Sequence, residues 1–112
     1  MKKFVVTYYA PITASEQMAK ASPEEMQEGM KSWMAWAQRC GDGLADMGSP
    51  LINGRTVTEA GAAPSDKKVT GYSILQAADM DAAIKMLDGH PHLGWTDGCE
   101  IGVHEVMPLP GM

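Results

Sequence analysis

The apolar positions of this chain fall into two periods. From Lys3 to Tyr9 β-branched and aromatic residues run together and stop at Pro11, which predicts a first strand. Thr13 to Ala21 predicts only a loose helical turn. Ser22-Pro23-Glu24-Glu25 then supplies an N-cap, a proline at the first helical position and a glutamate at the third, the pattern of a capping box. Beyond it Met26, Met30, Trp33, Ala37 and Cys40 recur at spacings of three and four. They predict one apolar helical face over about four turns, ended by Gly41 and Gly43.

Leu44 to Met47 predicts a short strand that Gly48-Ser49-Pro50 interrupts, and Leu51 to Val57 a second hairpin strand, with Asn53-Gly54 as its turn. Glu59 to Lys68 is small, polar and proline-containing, which predicts a flexible loop. Val69 to Ala77 is a clear strand. Asp79 next caps a helix in which Met80, Ala83, Ile84 and Leu87 fall at i, i+3, i+4 and i+7, stopped by Gly89 and Pro91. A last strand runs from Cys99 to Met107, before Pro108 and Pro110. The order β-α-β-(β)-β-α-β predicts an α+β, ferredoxin-like antiparallel sheet with two helices on one face, in a single domain spanning 1–112.

The face away from the helices is the informative one. Strand parity gives it Tyr72, Ile74 and Val106 together with Glu100 and His104. That mixture is too apolar to sit wholly in water and too polar for a dry core, which predicts a homodimer with an enclosed pocket.

Composition narrows the function classes. A net charge of -5, with nine scattered lysines and arginines, argues against nucleic acid and anionic membranes. No apolar run approaches the roughly 20 residues that span a bilayer, and the segment after Lys2-Lys3 turns polar too soon for a leader and reads as a strand. Two cysteines, Cys40 and Cys99, far apart and outside any CxxC pair, suit a reducing cytoplasm. Ten methionines are an unusual count, and filling core and interface gaps explains them better than metal handling.

The candidate chemistry sits late in the chain. Glu100 and His104 share a face with Gly102 between them, which leaves room over the sheet, so a histidine titrating near neutrality beside a carboxylate could shuttle a proton on a small ligand. An equally good reading is a half-buried polar cluster bonded across a dimer interface. Tyr72, His92 and Trp95 are the expected substrate-binding residues, with Tyr72 and Trp95 as walls. His90 and His92 flank Pro91 beyond the second helix, where the helix dipole and a stop signal account for His90. As metal ligands the pair would need a third partner from Asp97, Glu100 or His104, and HPH is no recognised ligand motif, so no metal site is expected. Gly41-Asp42-Gly43 lacks a third glycine and follows a helix, which argues against nucleotide binding.

Four stretches resemble the YCII-related proteins of the dimeric α/β-barrel superfamily. They are Tyr8-Tyr9-Ala10-Pro11, then Trp33 and Trp36 ahead of Gly41-Asp42-Gly43, then Gly71-Tyr72-Ser73-Ile74, and the ending from Glu100 to Pro110. The similar DGPF branch carries its tetrapeptide before the central strand, where this chain has Ala63-Pro64-Ser65-Asp66-Lys67-Lys68 and so lacks the motif. Members with proposed catalysis use a histidine near the first helix with an aspartate, and this chain has no histidine before His90. The resemblance implies a dimeric barrel and, from superfamily monooxygenases and isomerases, chemistry without metal or organic cofactor. Two functions are expected: a cofactor-free enzyme moving protons on a small organic molecule, or a non-catalytic ligand-binding or interaction module.

Overall fold

The structure, a computed structural model, describes residues 1–12, 16, 19–65, 68–95 and 97–110. The helical turn expected over 13–21 falls mostly outside them. Strand β1 (Lys2–Tyr9) alternates cleanly: Phe4, Val6 and Tyr8 are buried, and Val5, Thr7 and Tyr9 are half-buried. Helix α1 (Pro23–Cys40) begins where its cap predicts, with Ser22 Oγ accepting from the Glu25 N–H at 3.1 Å. A 3-10 turn at Gly41–Gly43 leads into β2 (Leu44–Pro50), followed by β3 (Arg55–Thr58), β4 (Gly61–Pro64) and β5 (Val69–Ala77). Helix α2 (Met80–Met86) starts at Asp79, whose Oδ1 accepts from the Ala82 N–H at 2.8 Å. A second 3-10 turn, Pro91–Gly94, precedes β6 (Glu100–Glu105).

Strands β2, β5, β1 and β6 form one antiparallel sheet in that order. With two helices and β1 and β5 in the middle, this is the expected α+β, ferredoxin-like arrangement, open rather than closed into a barrel. Phe4, Val6, Tyr8, Leu75 and Ala77 pack from the sheet against Trp36, Ala83 and Leu87 of the helical layer. The two layers make a flat body of 43 × 43 × 20 Å. The last carbonyls of a helix lack intrahelical donors, and here α1 supplies them to α2. Trp36 Nε1 donates to Met86 O at 2.8 Å, and Arg39 Nη2 reaches the Met86 and Asp88 carbonyls.

Four expectations need correction. The apolar face of α1 is right only for its last turns. Trp33, Trp36, Ala37 and Cys40 meet the core, whereas Met26 and Met30 are 42% and 56% exposed, and residues 23–32 are exposed throughout. Ile84 of α2 is likewise 51% exposed, leaving Ala83 and Leu87 to carry that helix's burial. Strand β2 runs through Gly48-Ser49-Pro50 instead of stopping there. Gly48 takes φ +78 at an irregularity in the β2–β5 register, its N–H held by Asp46 Oδ1 at 2.8 Å. The hairpin, finally, turns at Glu59-Ala60 and not at Asn53-Gly54, so part of the expected loop is strand β4 paired with β3. Gly61, at φ +124, provides the backbone conformation that closes the turn. Every residue of β3 and β4 is exposed.

Candidate functional site

Pairing register fixes what the open face carries. On β1, Val5, Thr7 and Tyr9 stand opposite Ile74, Tyr72 and Val69 of β5, and opposite His104, Gly102 and Glu100 of β6. Glu100, His104 and Tyr72 therefore share the face without helices, as parity predicts. They do not touch. Four residues along a strand span roughly 13 Å, and β5 and β6 lie roughly 10 Å apart across β1. The space expected over Gly102 is occupied: a Cβ there would lie 2.9 Å from Thr7 Oγ1 and 3.1 Å from Tyr9 Cε2. The Tyr9 ring covers that glycine, and its hydroxyl accepts from Thr7 Oγ1 at 2.9 Å. Because Thr7 supplies that proton, the Tyr9 O–H keeps its own for another acceptor. Tyr9 and Thr7 are thus part of this face, and the alternation of β1 was the signal that identified them. Glu100 and His104 are exposed, while Val5, Thr7, Tyr9, Tyr72 and Ile74 are half-buried.

His92 does not join this group. His92 is buried among the aromatic side chains beneath the sheet, its ring 5.2 Å from that of Tyr8 and 5.6 Å from that of Trp95. Its Nε2 donates to the Tyr9 carbonyl at 2.8 Å, since a carbonyl can only accept. The backbone of β1 separates it from the side chains of Glu100 and His104. The reason is local: a 3-10 turn has no strand parity, so its side chains go where their hydrogen bonds lead.

A second cluster, more tightly built than the first, surrounds His90. Tyr8, Trp33 and Trp36 pack on its ring with centroids 5.0, 4.5 and 4.4 Å away. Ser73 Oγ donates to Met47 O at 2.7 Å, so the Tyr8 hydroxyl donates to Ser73 Oγ at 2.8 Å. Burial pushes that phenol up to about 12, with the Ser73 bond pulling the other way. Burial likewise raises the Cys40 thiol. Burial, His92 and Arg39 together lower His90 to about 4, and burial lowers His92 against the pull of its backbone bonds to Tyr9 and Glu100. These groups are all held neutral. Their arrangement suits a core and not acid–base chemistry near neutrality. Among the described residues no three His, Cys, Asp or Glu side chains gather as a metal-binding group.

The cluster makes stability depend on pH. Above pH 6.5 His90 is neutral in both the folded and the unfolded chain, and its contribution is fully present. Below 6.5 the unfolded chain takes up a proton that the folded ring refuses until about pH 4. Folding stability is expected to drop by about 3 kcal/mol across that window, with His92 adding in the same direction. Urea unfolding at constant ionic strength measures this. An unchanged midpoint from pH 7 to 4 would show that the ring is solvated.

Among the described residues no helix is long and apolar enough to cross a membrane. Comparison of the sequence with protein-family models finds no match, and comparison with curated proteins finds none either.

Proposed function

We propose that the chain works as a homodimer joined through the helix-free face of its sheet, and that this face floors a small-molecule site. The reaction is cofactor-free proton transfer on a small organic molecule, in keeping with the resemblance to YCII-related proteins. The observation that carries the reading is the company kept by His104. An exposed imidazole and the Glu100 carboxylate stand on a surface that also carries the half-buried side chains of Val5, Tyr9, Tyr72 and Ile74, on the side of the sheet away from the two described helices. A second copy removes that apolar surface from water. The flat body offers ample area for the roughly 800 Å² per partner of a standard interface. His104 is the proton acceptor, Glu100 holds a donor group roughly 13 Å along the strand, and the Tyr72 hydroxyl and the unused Tyr9 O–H proton orient the ligand. The free cysteines, Cys40 and Cys99, support a reducing, cytoplasmic setting.

Sedimentation equilibrium at micromolar concentration is expected to give a dimer. Ile74→Asp is expected to weaken that dimer at least about tenfold by burying an unpaired charge at the centre of the face. A native monomer at that concentration overturns the reading. For the site itself, a thermal-shift ligand screen followed by turnover assays on the hits is decisive. His104→Ala should abolish turnover while the dimer stays folded.

The Tyr9 ring over Gly102 favours a second reading, a non-catalytic ligand-binding or interaction module, because it fills the room a substrate would take. That reading expects ligands that bind without turnover, and binding that survives His104→Ala.

A further inference from the structure

His90 and His92 form two bonds in series that fasten the connection between α2 and β6. Pro91 has no N–H, so the first donor of the Pro91–Gly94 turn is the His92 amide, and it is taken by His90 Nδ1 at 2.9 Å. A nitrogen that accepts carries no proton, so the neutral His90 ring is protonated at Nε2. That atom is buried and has no hydrogen-bond partner among the described residues. It lies in a box whose Trp33 and Trp36 rings meet the imidazole edge to face, at 87° and 64°. Such faces accept an N–H weakly. The second bond runs from His92 Nε2 to the Tyr9 carbonyl, at the end of β1 where β6 begins its pairing with Glu100.

Neither nitrogen of His90 tolerates another proton. At Nδ1 it would face the His92 N–H donor, and the bond capping the turn would be lost. Nor does a neighbour offer compensation. From α1 the facing group is the Arg39 guanidinium, which is positive, and the nearby Cys40 thiol, beside Tyr8, is kept protonated by burial. From β1 comes the Tyr8 hydroxyl, neutral and tied to Ser73. The turn itself contributes His92, and Asp88 at the end of α2 is exposed.

We propose that His90-Pro91-His92 is a proton-released latch: protonation of His90 Nδ1 breaks the cap of the Pro91–Gly94 turn and frees the connection before β6 from β1, while the four-stranded sheet stays paired. The proposal does not depend on whether the open face is catalytic. Its consequence is a segment carrying Trp95 that is docked at neutral pH and opens more often in mild acid.

Amide hydrogen exchange of the native protein at pH 7 and pH 5, corrected for the intrinsic rate, tests it. With His90 at about 4 when docked and 6.5 when free, protection of residues 92–95 is expected to fall on the order of twentyfold. The β1 and β5 amides, which open only with the whole fold, should stay far better protected than these at both pH values. His90→Asn keeps a side-chain acceptor for the His92 N–H and removes the His90 ring, so its connection should keep only the pH response that His92 contributes. If that variant fails to fold, imidazole nitrogen shifts of the native protein decide, and should report an Nε2–H tautomer at pH 7. Protection that does not change with pH, or that equals that of β1 and β5 at both pH values, overturns the latch. So does a folded His90→Asn variant with the native response, or an Nδ1–H tautomer.

Discussion

Replacing Gly48 by alanine is expected to destabilise the fold by about 4 kcal/mol or more, a large share of the 5–15 kcal/mol that holds a typical domain together. A Cβ at this position would lie 1.7 Å from the Tyr72 carbonyl oxygen, 2.6 Å from its carbon and 3.1 Å from Ser73 Cα. All three are backbone atoms of β5, so none can step aside without breaking the β2–β5 ladder. The left-handed φ of +78 adds roughly 1–2 kcal/mol for any residue with a Cβ. Gly29, inside α1, is the control, because a Cβ there meets nothing within 4 Å. Gly29→Ala should stabilise by about 0.5–1 kcal/mol through helix propensity alone. Urea midpoints with unchanged slopes measure both, and a Gly48→Ala protein with a native midpoint would mean that β2 does not approach β5 this closely.

Trp36→Ala should cost about 3–5 kcal/mol, because the side chain is 3% exposed and its removal leaves a cavity between the layers. Part of the loss is polar. Trp36 Nε1 is a donor to Met86 O, and Trp36→Phe keeps most of the apolar contact while removing that bond. It should cost about 1–2 kcal/mol, since Arg39 still reaches the same carbonyl. Equal losses in the two variants would mean that capping α2 outweighs packing.

What the sequence made legible was whatever local chemistry decides. The Ser22 and Asp79 caps could be read because a cap is a bond between residues three apart. The strands β1 and β5 could be read because alternation is visible within nine residues. The side of the sheet on which Glu100, His104 and Tyr72 stand followed from the same alternation. The bulge at Gly48 was hidden, because it depends on how closely β5 passes. The exposure of Met26 and Met30 was hidden too, since a helical face reads the same whether or not a sheet reaches beneath it. His92 was set on the wrong side for want of any period in a 3-10 turn. Tyr9 over Gly102 required the pairing of Thr7 with Gly102, a register that joins opposite ends of the chain.

That same register has a consequence for how the chain is made. Strand β1 precedes the other strands in the chain, yet its neighbours β5 and β6 are sixty or more and about a hundred residues further on. At a synthesis rate of 5–20 residues per second, roughly 5–20 s pass between the appearance of Tyr9 and that of Glu105. Through that interval Phe4-Val5-Val6 is a short, β-prone apolar run with both edges open, the kind of segment that invites aggregation. Lys2 and Lys3 stand directly before it, in the position of gatekeeper charges. Once β6 has paired, Lys2 serves a different end, facing Glu105 at 3.6 Å. The lysine pair thus guards the nascent strand first and joins its surface afterwards, and contacts so distant in sequence favour slow, late closure of the sheet.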